Sequence, residues 1–143
     1  DLHSTSRRQR QMCIRDSKDT YDVMKANRAD EMGGIVHCFS YTKEMAKQFM
    51  DMGFYLGIGG VVTFSNARKL QEVVEYMPMD KMVIETDCPY MSPVPNRGKR
   101  NDSFNLPYVV NKIAEIKGIS PTEVIDITCE NAKNVYGIGR KRI

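Results

Sequence analysis

Two carboxylates close together in the chain, Glu85 and Asp87, offer the clearest chemistry in this sequence. They follow the apolar run 82–84 and precede a cysteine and a proline. Three apolar residues between a charge and a proline are typical of a strand that is buried on both faces. In parallel α/β folds the chemistry lies at the C-terminal ends of strands, and residues two apart on an extended chain point the same way. The pair is therefore a candidate site, with a helix cap or a salt-bridged loop as the structural alternative.

A histidine near the end of an earlier strand candidate is the natural partner of these acids. His37 lies within the apolar stretch 35–40, fifty residues before Asp87. A lone histidine in a strand is usually a hydrogen-bonded core residue. If both strands belong to one parallel sheet, however, His37 and Asp87 reach the same edge and begin a divalent metal site. Because catalytic zinc takes three protein ligands and a water, these two residues make half of such a centre.

Two further patterns near the acids have both a functional and a structural interpretation. The glycine-rich stretch 57–60 could cradle a phosphate, but its spacing matches neither dinucleotide-binding nor P-loop motifs. We therefore favour a tight strand exit beside a crowded site. The loop cations Arg97, Lys99 and Arg100 form a dense basic cluster. They are either solvated or capture phosphates near the acidic edge, and the sequence favours neither.

Composition limits the class of protein. The 143 residues are 41% hydrophobic and 27% charged, as expected for one globular domain. No apolar run is long enough to span a membrane, no signal peptide is visible, and nothing indicates an obligate protein partner. The four cysteines lie far apart without a CxxC pair, which favours a reduced, cytoplasmic setting. We interpret Cys38 and Cys88 as small buried apolar residues.

The segment 1–17 differs from the rest of the chain. It carries four arginines against two aspartates, so it supplies +2 of the net charge of +3. The small remaining charge gives little support for nucleic-acid binding outside a local cluster. The segment looks like a translated sequencing adapter, so we expect a non-native leader and assign His3 no role. A native basic tail is the alternative, and residues 140–143 form a second basic tail.

Strand and helix signals alternate from residue 18 onward. Strands are predicted at 35–40, 54–58 and 82–85, with 61–64 also extended; helices are predicted at 18–32, after Thr42, after Ser65 or Asn66, at 106–117, after Ser120 and at 130–136. Alternation of this kind predicts βαβ units and a parallel sheet. Three strands are too few for a closed barrel, so the chain is expected to be the C-terminal part of a larger (β/α) barrel.

The order and spacing of five segments resemble the C-terminal half of TatD-family metal-dependent deoxyribonucleases. The segments are GIVHCFS (34–40), GFYLGIGGVVTF (53–64), VIETDCPY (83–90), PNRGKRN (95–101) and TCENAKNVYGI (128–138). The resemblance covers about residues 18–138. It implies a TIM-type barrel of the amidohydrolase kind, one or two divalent ions (magnesium, manganese or zinc), and hydrolysis of phosphodiester bonds with DNA as substrate.

The resemblance also implies roles for individual residues. His37 matches a metal ligand, and Asp87 matches a metal ligand that also acts as the base for the attacking water. Glu85 would orient its neighbours or the ion. The assignment of Arg97, Lys99 and Arg100 to DNA phosphates is a physical inference from their charge.

The family's remaining metal-binding motifs, including an N-terminal HxH pair, are missing from this sequence. We therefore expect a truncated enzyme of 18–139 that is inactive by itself. Two other functions stay open: a metal hydrolase of the amidohydrolase kind acting on a small substrate, and a non-catalytic nucleic-acid-binding fragment.

Overall fold

Three parallel strands form a single sheet in the computed structural model, which describes residues 18–138. They are β1 (Gly34–Val36), β2 (Phe54–Ile58) and β3 (Met82–Ile84), arranged in chain order with β2 in the middle. Leu56 of β2 is opposite Val36 on one side and Met82 on the other. The predicted parallel sheet is thus confirmed. The proposed leader 1–17 and the basic tail 140–143 lie outside the described residues.

Five helices accompany the sheet in the described part of the chain. Residues 18–26 are helical (α1), and the others are α2 (Lys43–Asp51), α3 (Arg68–Tyr76), α4 (Leu106–Lys117) and α5 (Pro121–Tyr136). Short 3-10 turns occupy Ala29–Glu31, Gly60–Thr63, Met79–Lys81 and Ser103–Asn105. None of the helices in this described part has the length and apolar composition needed to cross a membrane.

Local sequence signals explain several helix boundaries. The Thr42 hydroxyl accepts a hydrogen bond from the backbone of Met45 and caps α2, as predicted. Ser120 and Glu123 form a reciprocal capping box at the start of α5. Gly118 ends α4 in a left-handed conformation that glycine adopts without steric cost. These signals are local, so they could be identified without knowledge of the fold.

The core lies between the sheet and the helices. Its fully buried members include Leu56, Ile58 and Met82 from the strands and Ala46, Phe49, Val73, Val74, Ile113 and Val124 from the helices. Alternating burial along a strand is absent from β2, where four of five residues are buried. A strand that is buried on both faces is what a parallel sheet requires.

Several predicted elements differ in the structure. The predicted helix 18–32 ends at 26 before a 3-10 turn, and β1 ends at Val36 rather than at residue 40. The stretch 61–64, predicted to be extended, forms a 3-10 turn. The next helix has Ala67 as its N-cap, without a side-chain hydrogen bond, so capping by Ser65 or Asn66 was wrong.

The last helix is also longer than predicted. A helix starting after Ser120 and another at 130–136 are one continuous element, α5. Its buried stripe consists of Val124, Thr128 and Asn131. Two of the three residues are polar, so the apolar periodicity is interrupted although the helix is not. The Thr128 hydroxyl donates to Val124 O one turn earlier, which satisfies it inside the helix.

Candidate metal centre at the C-terminal edge of the sheet

The parallel sheet brings the predicted site residues to one edge. His37 follows the last residue of β1, and Glu85 follows the last residue of β3. Backbone pairing continues past the strand ends, because Phe39 N donates to Gly57 O (3.0 Å) and Glu85 N donates to Ile58 O (3.1 Å). The segments that follow β1 and β3 are therefore hydrogen-bonded to β2 near His37 and at Glu85.

His37 lies between the two acids. Its Nδ1 is 2.7 Å from Glu85 Oε2, and its Nε2 is 2.9 Å from Asp87 Oδ1. The acid side chains are 13% and 11% exposed, whereas that of His37 is 66% exposed. The carboxylates are thus mostly enclosed at the sheet edge, and the imidazole is the most exposed of the three groups.

The protons available to His37 restrict this arrangement. A neutral imidazole has one N–H donor and one acceptor nitrogen. Two ionised carboxylates are both acceptors, so a neutral ring satisfies one of them and leaves the other facing a lone pair. A second proton or a cation between ring and carboxylate removes the conflict. The geometry is therefore suited to positive charge at the site.

Glu85 is held in place by its neighbours. Its Oε1 accepts from Cys38 N at 2.5 Å, while its Oε2 contacts His37. Burial raises the pKa of Glu85, and the hydrogen bond from Cys38 N and the proximity of His37 oppose that rise. Both oxygens of this carboxylate are in use, so Glu85 fixes the ring orientation of His37.

The adjacent thiol is unsuited to nucleophilic chemistry. Burial, followed by the charges of Asp87 and Glu85, raises the pKa of Cys38 to about 12. The thiol is therefore protonated at neutral pH and is a poor nucleophile. Cys88, predicted to be buried, is exposed because it lies in the turn after β3 rather than in the strand.

Asp87 occupies a backbone conformation that favours glycine or asparagine. Its φ is 57°, in the left-handed region, which costs an ordinary residue on the order of 1–2 kcal/mol. The expectation that Glu85 and Asp87 reach the same side is met, through a turn rather than an extended chain. The other carboxylate oxygen, Asp87 Oδ2, is buried and has no hydrogen-bond partner among the described residues.

Glycines on β2 and after it make room for the acids. A Cβ added at Gly57 would overlap the Glu85 carboxylate, and one at Gly59 would lie 2.7 Å from Asp87 Oδ2. Real Cβ atoms do not approach other atoms so closely. The structural interpretation of this stretch, a tight strand exit beside a crowded site, is therefore confirmed.

A divalent cation fits these residues. His37, Glu85 and Asp87 each offer a ligand atom, and the three atoms lie within 4.8 Å of one another. Imidazole nitrogen and carboxylate oxygen are common ligands of zinc and manganese. The buried, unpartnered Asp87 Oδ2 lacks the hydrogen bond that a buried oxygen normally makes. A metal ion would supply the missing partner.

The basic loop lies beside the turn that carries Asp87. Arg97, Lys99 and Arg100 are exposed, and none forms an ion pair within the part of the chain that the structure describes. The Arg97 guanidinium stacks over the Phe64 ring at 4.3 Å. Arg97 is therefore fixed by a contact, while its charge stays available to an anion.

Asn101 is a residue of this region to which the sequence assigned no role. It is 3% exposed, and its side-chain amide donates to Thr86 O (2.5 Å) and Tyr90 O (2.8 Å). An asparagine that bonds backbone across a loop leaves no periodic pattern. Its position at the end of the segment PNRGKRN was the available signal.

A parallel sheet with a histidine and two acids at its C-terminal edge has the residues that a metal-dependent hydrolase of the amidohydrolase kind requires. The model of one such family, described as TatD related DNase, matches residues 6–137. The chain belongs to this family, and the predicted resemblance is confirmed. The match begins inside the segment 1–17, whose origin stays a prediction.

Similar proteins agree with this assignment. The chain is 46% identical over 122 residues to an uncharacterized metal-dependent hydrolase YabD of Bacillus subtilis, covering 85% of this chain and 48% of that protein. It is 31% identical over 125 residues to the 3'-5' ssDNA/RNA exonuclease TatD of a Rahnella species, covering 84% of this chain and 48% of that protein. The chain thus spans about half the length of the curated relatives it matches.

A solved structure supports the barrel fold. The TatD homologue YJJV from Escherichia coli K12 superimposes with a TM-score of 0.75 at 26% identity, covering 83% of this chain and 47% of that one. The chain therefore folds as part of a TIM-type barrel. The family is metal-dependent, in agreement with the predicted divalent cofactor.

Proposed function

We propose that this chain supplies one part of a metal-dependent phosphodiesterase site that acts on DNA. His37 and Asp87 are the metal ligands, and Glu85 orients His37. The observation that carries the proposal is Asp87 Oδ2, a buried carboxylate oxygen without a hydrogen-bond partner among the described residues, beside an imidazole that contacts two acids. Such an atom is costly to bury unless a hydrogen-bond donor or a cation lies beside it, and next to an imidazole and a second carboxylate a cation fits the charge of the site.

Each residue has a distinct task in the proposed reaction. A bound divalent ion would supply Lewis acidity, lowering the pKa of water and neutralising phosphoryl charge. Asp87 accepts the proton of the attacking water. Glu85 keeps the His37 ring in one orientation through Nδ1. Arg97, Lys99 and Arg100 hold the phosphates of the nucleic acid.

The nature of the substrate is supported by charge. The three loop cations form no ion pairs among the described residues, as expected for groups that meet a polyanion. A neutral cyclic amide, the substrate of the alternative hydrolase, needs no such cluster. The Rahnella relative is named as an exonuclease of single-stranded DNA and RNA.

The free cysteines at 38, 88 and 129 support a reducing, cytoplasmic setting.

We further propose that the chain alone has negligible hydrolytic activity. In this proposal Glu85 orients His37, which leaves His37 and Asp87 as the ligands that the described residues supply. A catalytic zinc site normally has three protein ligands. The chain also spans about half of its relatives.

Metal titration tests the site assignment. Free Mn²⁺ is measured by electron paramagnetic resonance in the presence of the full chain. We expect the unmodified chain to bind Mn²⁺ weakly and Asp87→Asn to lose this binding. The control is Asp80→Asn, which changes an exposed acid near the start of β3 and should bind Mn²⁺ like the unmodified chain. Absence of binding to the unmodified chain, or equal binding by both variants, would contradict the assignment.

Two assays with a single-stranded oligonucleotide test substrate and activity. Without chelator, the unmodified chain should cleave the oligonucleotide no faster than Asp87→Asn does. Cleavage by the unmodified chain that is absent in Asp87→Asn would overturn the proposed inactivity. With chelator, binding should weaken in Arg100→Ala and not in Lys133→Ala, whose native side chain pairs with Glu130 on α5. Equal loss in both variants would argue against the basic loop as the phosphate contact.

A further inference from the structure

The turn after β3 needs a restraint from outside itself. It carries Asp87 in a left-handed conformation and exposes Cys88 and Tyr90 to solvent. Within the turn, Tyr90 N donates to Asp87 O at 2.9 Å and Cys88 N donates to Thr86 Oγ1 at 3.4 Å. The Asp87 carboxylate itself contacts His37 Nε2 at 2.9 Å, but two local hydrogen bonds do not impose the left-handed backbone from which it projects. The surrounding structure must therefore hold that backbone.

Asn101 supplies that restraint from a distant part of the loop. Its backbone N donates to Pro89 O (2.9 Å), and its side-chain amide donates to the carbonyls of Thr86 and Tyr90. These bonds reach the residue before Asp87, the residue two positions after it and the residue three positions after it. Asn101 therefore spans the whole turn.

Asn101 is itself fixed by its neighbours. Its Oδ1 accepts from Asp102 N and from Asn105 Nδ2, both at 2.9 Å. Asn96 Nδ2 in turn donates to Asn105 Oδ1 at 2.8 Å. The amide thus uses both donors and accepts two bonds, which leaves one rotamer and one assignment of oxygen and nitrogen that satisfies the network.

The same contacts connect the turn to the basic loop. Asn101 directly follows the cations at 97–100, and Ser92 Oγ donates to Lys99 O (2.7 Å) to close that loop. A displacement of Asn101 would move the acid and the cations together. This connection explains why a buried amide, which is costly to desolvate, occupies a position between two exposed segments.

We propose that Asn101 is a positioning residue that sets the direction of the Asp87 carboxylate and couples it to the basic loop. The proposal rests on the proposed function, in which Asp87 is a metal ligand. Residues that orient metal ligands typically change metal affinity about 10- to 100-fold when they are altered. Altering Asn101 should change metal affinity by a similar factor, although Asn101 does not touch the ion.

The chain contains a closely matched control for this proposal. Asn131 is also a buried asparagine, 6% exposed, and its amide donates to Met79 O and Met82 O, both at 2.7 Å. Its amide therefore also donates to two backbone carbonyls, but at the opposite end of β3. Asn101→Asp and Asn131→Asp each replace the donor by an oxygen that faces two carbonyls.

Hydrogen exchange in the presence of chelator tests the positioning itself. Denaturant melts first establish the global stability of each variant so that exchange is compared at equal stability. We expect the Tyr90 amide to exchange about tenfold faster in Asn101→Asp than in Asn131→Asp. Equal exchange at Tyr90 in the two variants would overturn the proposal, whether or not the chain binds metal.

Mn²⁺ affinity, measured on the full chain, gives the second readout. Asn101→Asp should weaken binding about 10-fold or more, and Asn131→Asp should change it less than about twofold. Unchanged affinity in Asn101→Asp, with binding still lost in Asp87→Asn, would overturn the role of Asn101 and leave the metal site intact. If Asn131→Asp also lost binding, the stability of the fold rather than the position of Asp87 would control Mn²⁺ affinity, which would likewise overturn the role of Asn101.

Discussion

Strand β3 has a buried asparagine at each end, and the surroundings of the two residues differ. At the N-terminal end, Asn131 donates to Met79 O and Met82 O, and the Lys117 ammonium donates to Glu75 O and Met77 O. At the C-terminal end, Asn101 holds a turn that contains a left-handed aspartate and an unpartnered carboxylate oxygen. Polar groups at the N-terminal end of β3 have hydrogen-bond partners, whereas the C-terminal end has a buried carboxylate oxygen without one among the described residues.

The difference indicates how the molecule separates stability from chemistry. In barrel folds the N-terminal ends of strands carry stability and the C-terminal ends carry function. The two asparagines make the same kind of hydrogen bond, so their surroundings and not their chemistry distinguish them. Substitutions at matched positions can therefore measure the separation directly.

The largest effect is expected at the N-terminal end. Asn131→Ala leaves two carbonyls without their donor and opens space between α5 and β3, so we expect a loss of about 2–4 kcal/mol in the free energy of unfolding. Urea denaturation followed by circular dichroism measures it. A loss below about 1 kcal/mol would show that this end is less important for stability than its contacts indicate.

A smaller loss is expected from crowding at the C-terminal end. Gly57→Ala places a methyl group against the Glu85 carboxylate and should cost about 1–3 kcal/mol. In a Glu85→Ala background the same substitution should cost less than about 0.5 kcal/mol, because the clash is removed. Urea denaturation of the unmodified chain, the two single variants and the double variant measures these costs. An equal cost of Gly57→Ala in both backgrounds would show that the strain does not come from the contact with Glu85.

The smallest effect is a difference in pH dependence between two glutamates. Hydrogen bonds from Ser120 lower the pKa of Glu123, so its contribution to stability is present above its unfolded pKa and is lost as pH falls through the folded value. Burial raises the pKa of Glu85, so its contribution is present below its unfolded pKa and is lost as pH rises through the folded value.

Glutamine substitutions test these signs. Between pH 3 and 7, with chelator present, Glu123→Gln should lose stability relative to the unmodified chain as pH rises, and Glu85→Gln should gain it. Stability at each pH is measured by urea denaturation. A change of the same sign in both variants would show that the two carboxyls do not differ in the way their surroundings indicate.

The parts of the fold that follow local or periodic rules were predictable from sequence. The parallel sheet followed from alternating strands and helices, and the meeting of His37 with Asp87 followed from the shared edge of parallel strands. The Ser120 capping box was visible as four consecutive residues. In each case the signal lies within one segment or in the order of segments.

The features that sequence did not predict depend on contacts between distant segments. The left-handed turn at Asp87 is held by Asn101, and polar residues buried by α5 interrupt its apolar stripe. Glu85 was expected to orient neighbours, but its bond to Cys38 N depends on how two strands align. Side-chain bonds to remote backbone have no spacing rule, so they emerge only from the folded structure.

Paramagnetic broadening by Mn²⁺ tests whether the C-terminal end of the sheet binds metal and the N-terminal end does not. Nuclear magnetic resonance spectra of the full chain are recorded at increasing Mn²⁺. We expect selective broadening of the Cys38 and Tyr90 amides, an unaffected Asn131 side-chain amide, and no selective broadening in Asp87→Asn. Broadening that spares the first two signals, or that persists in Asp87→Asn, would contradict it.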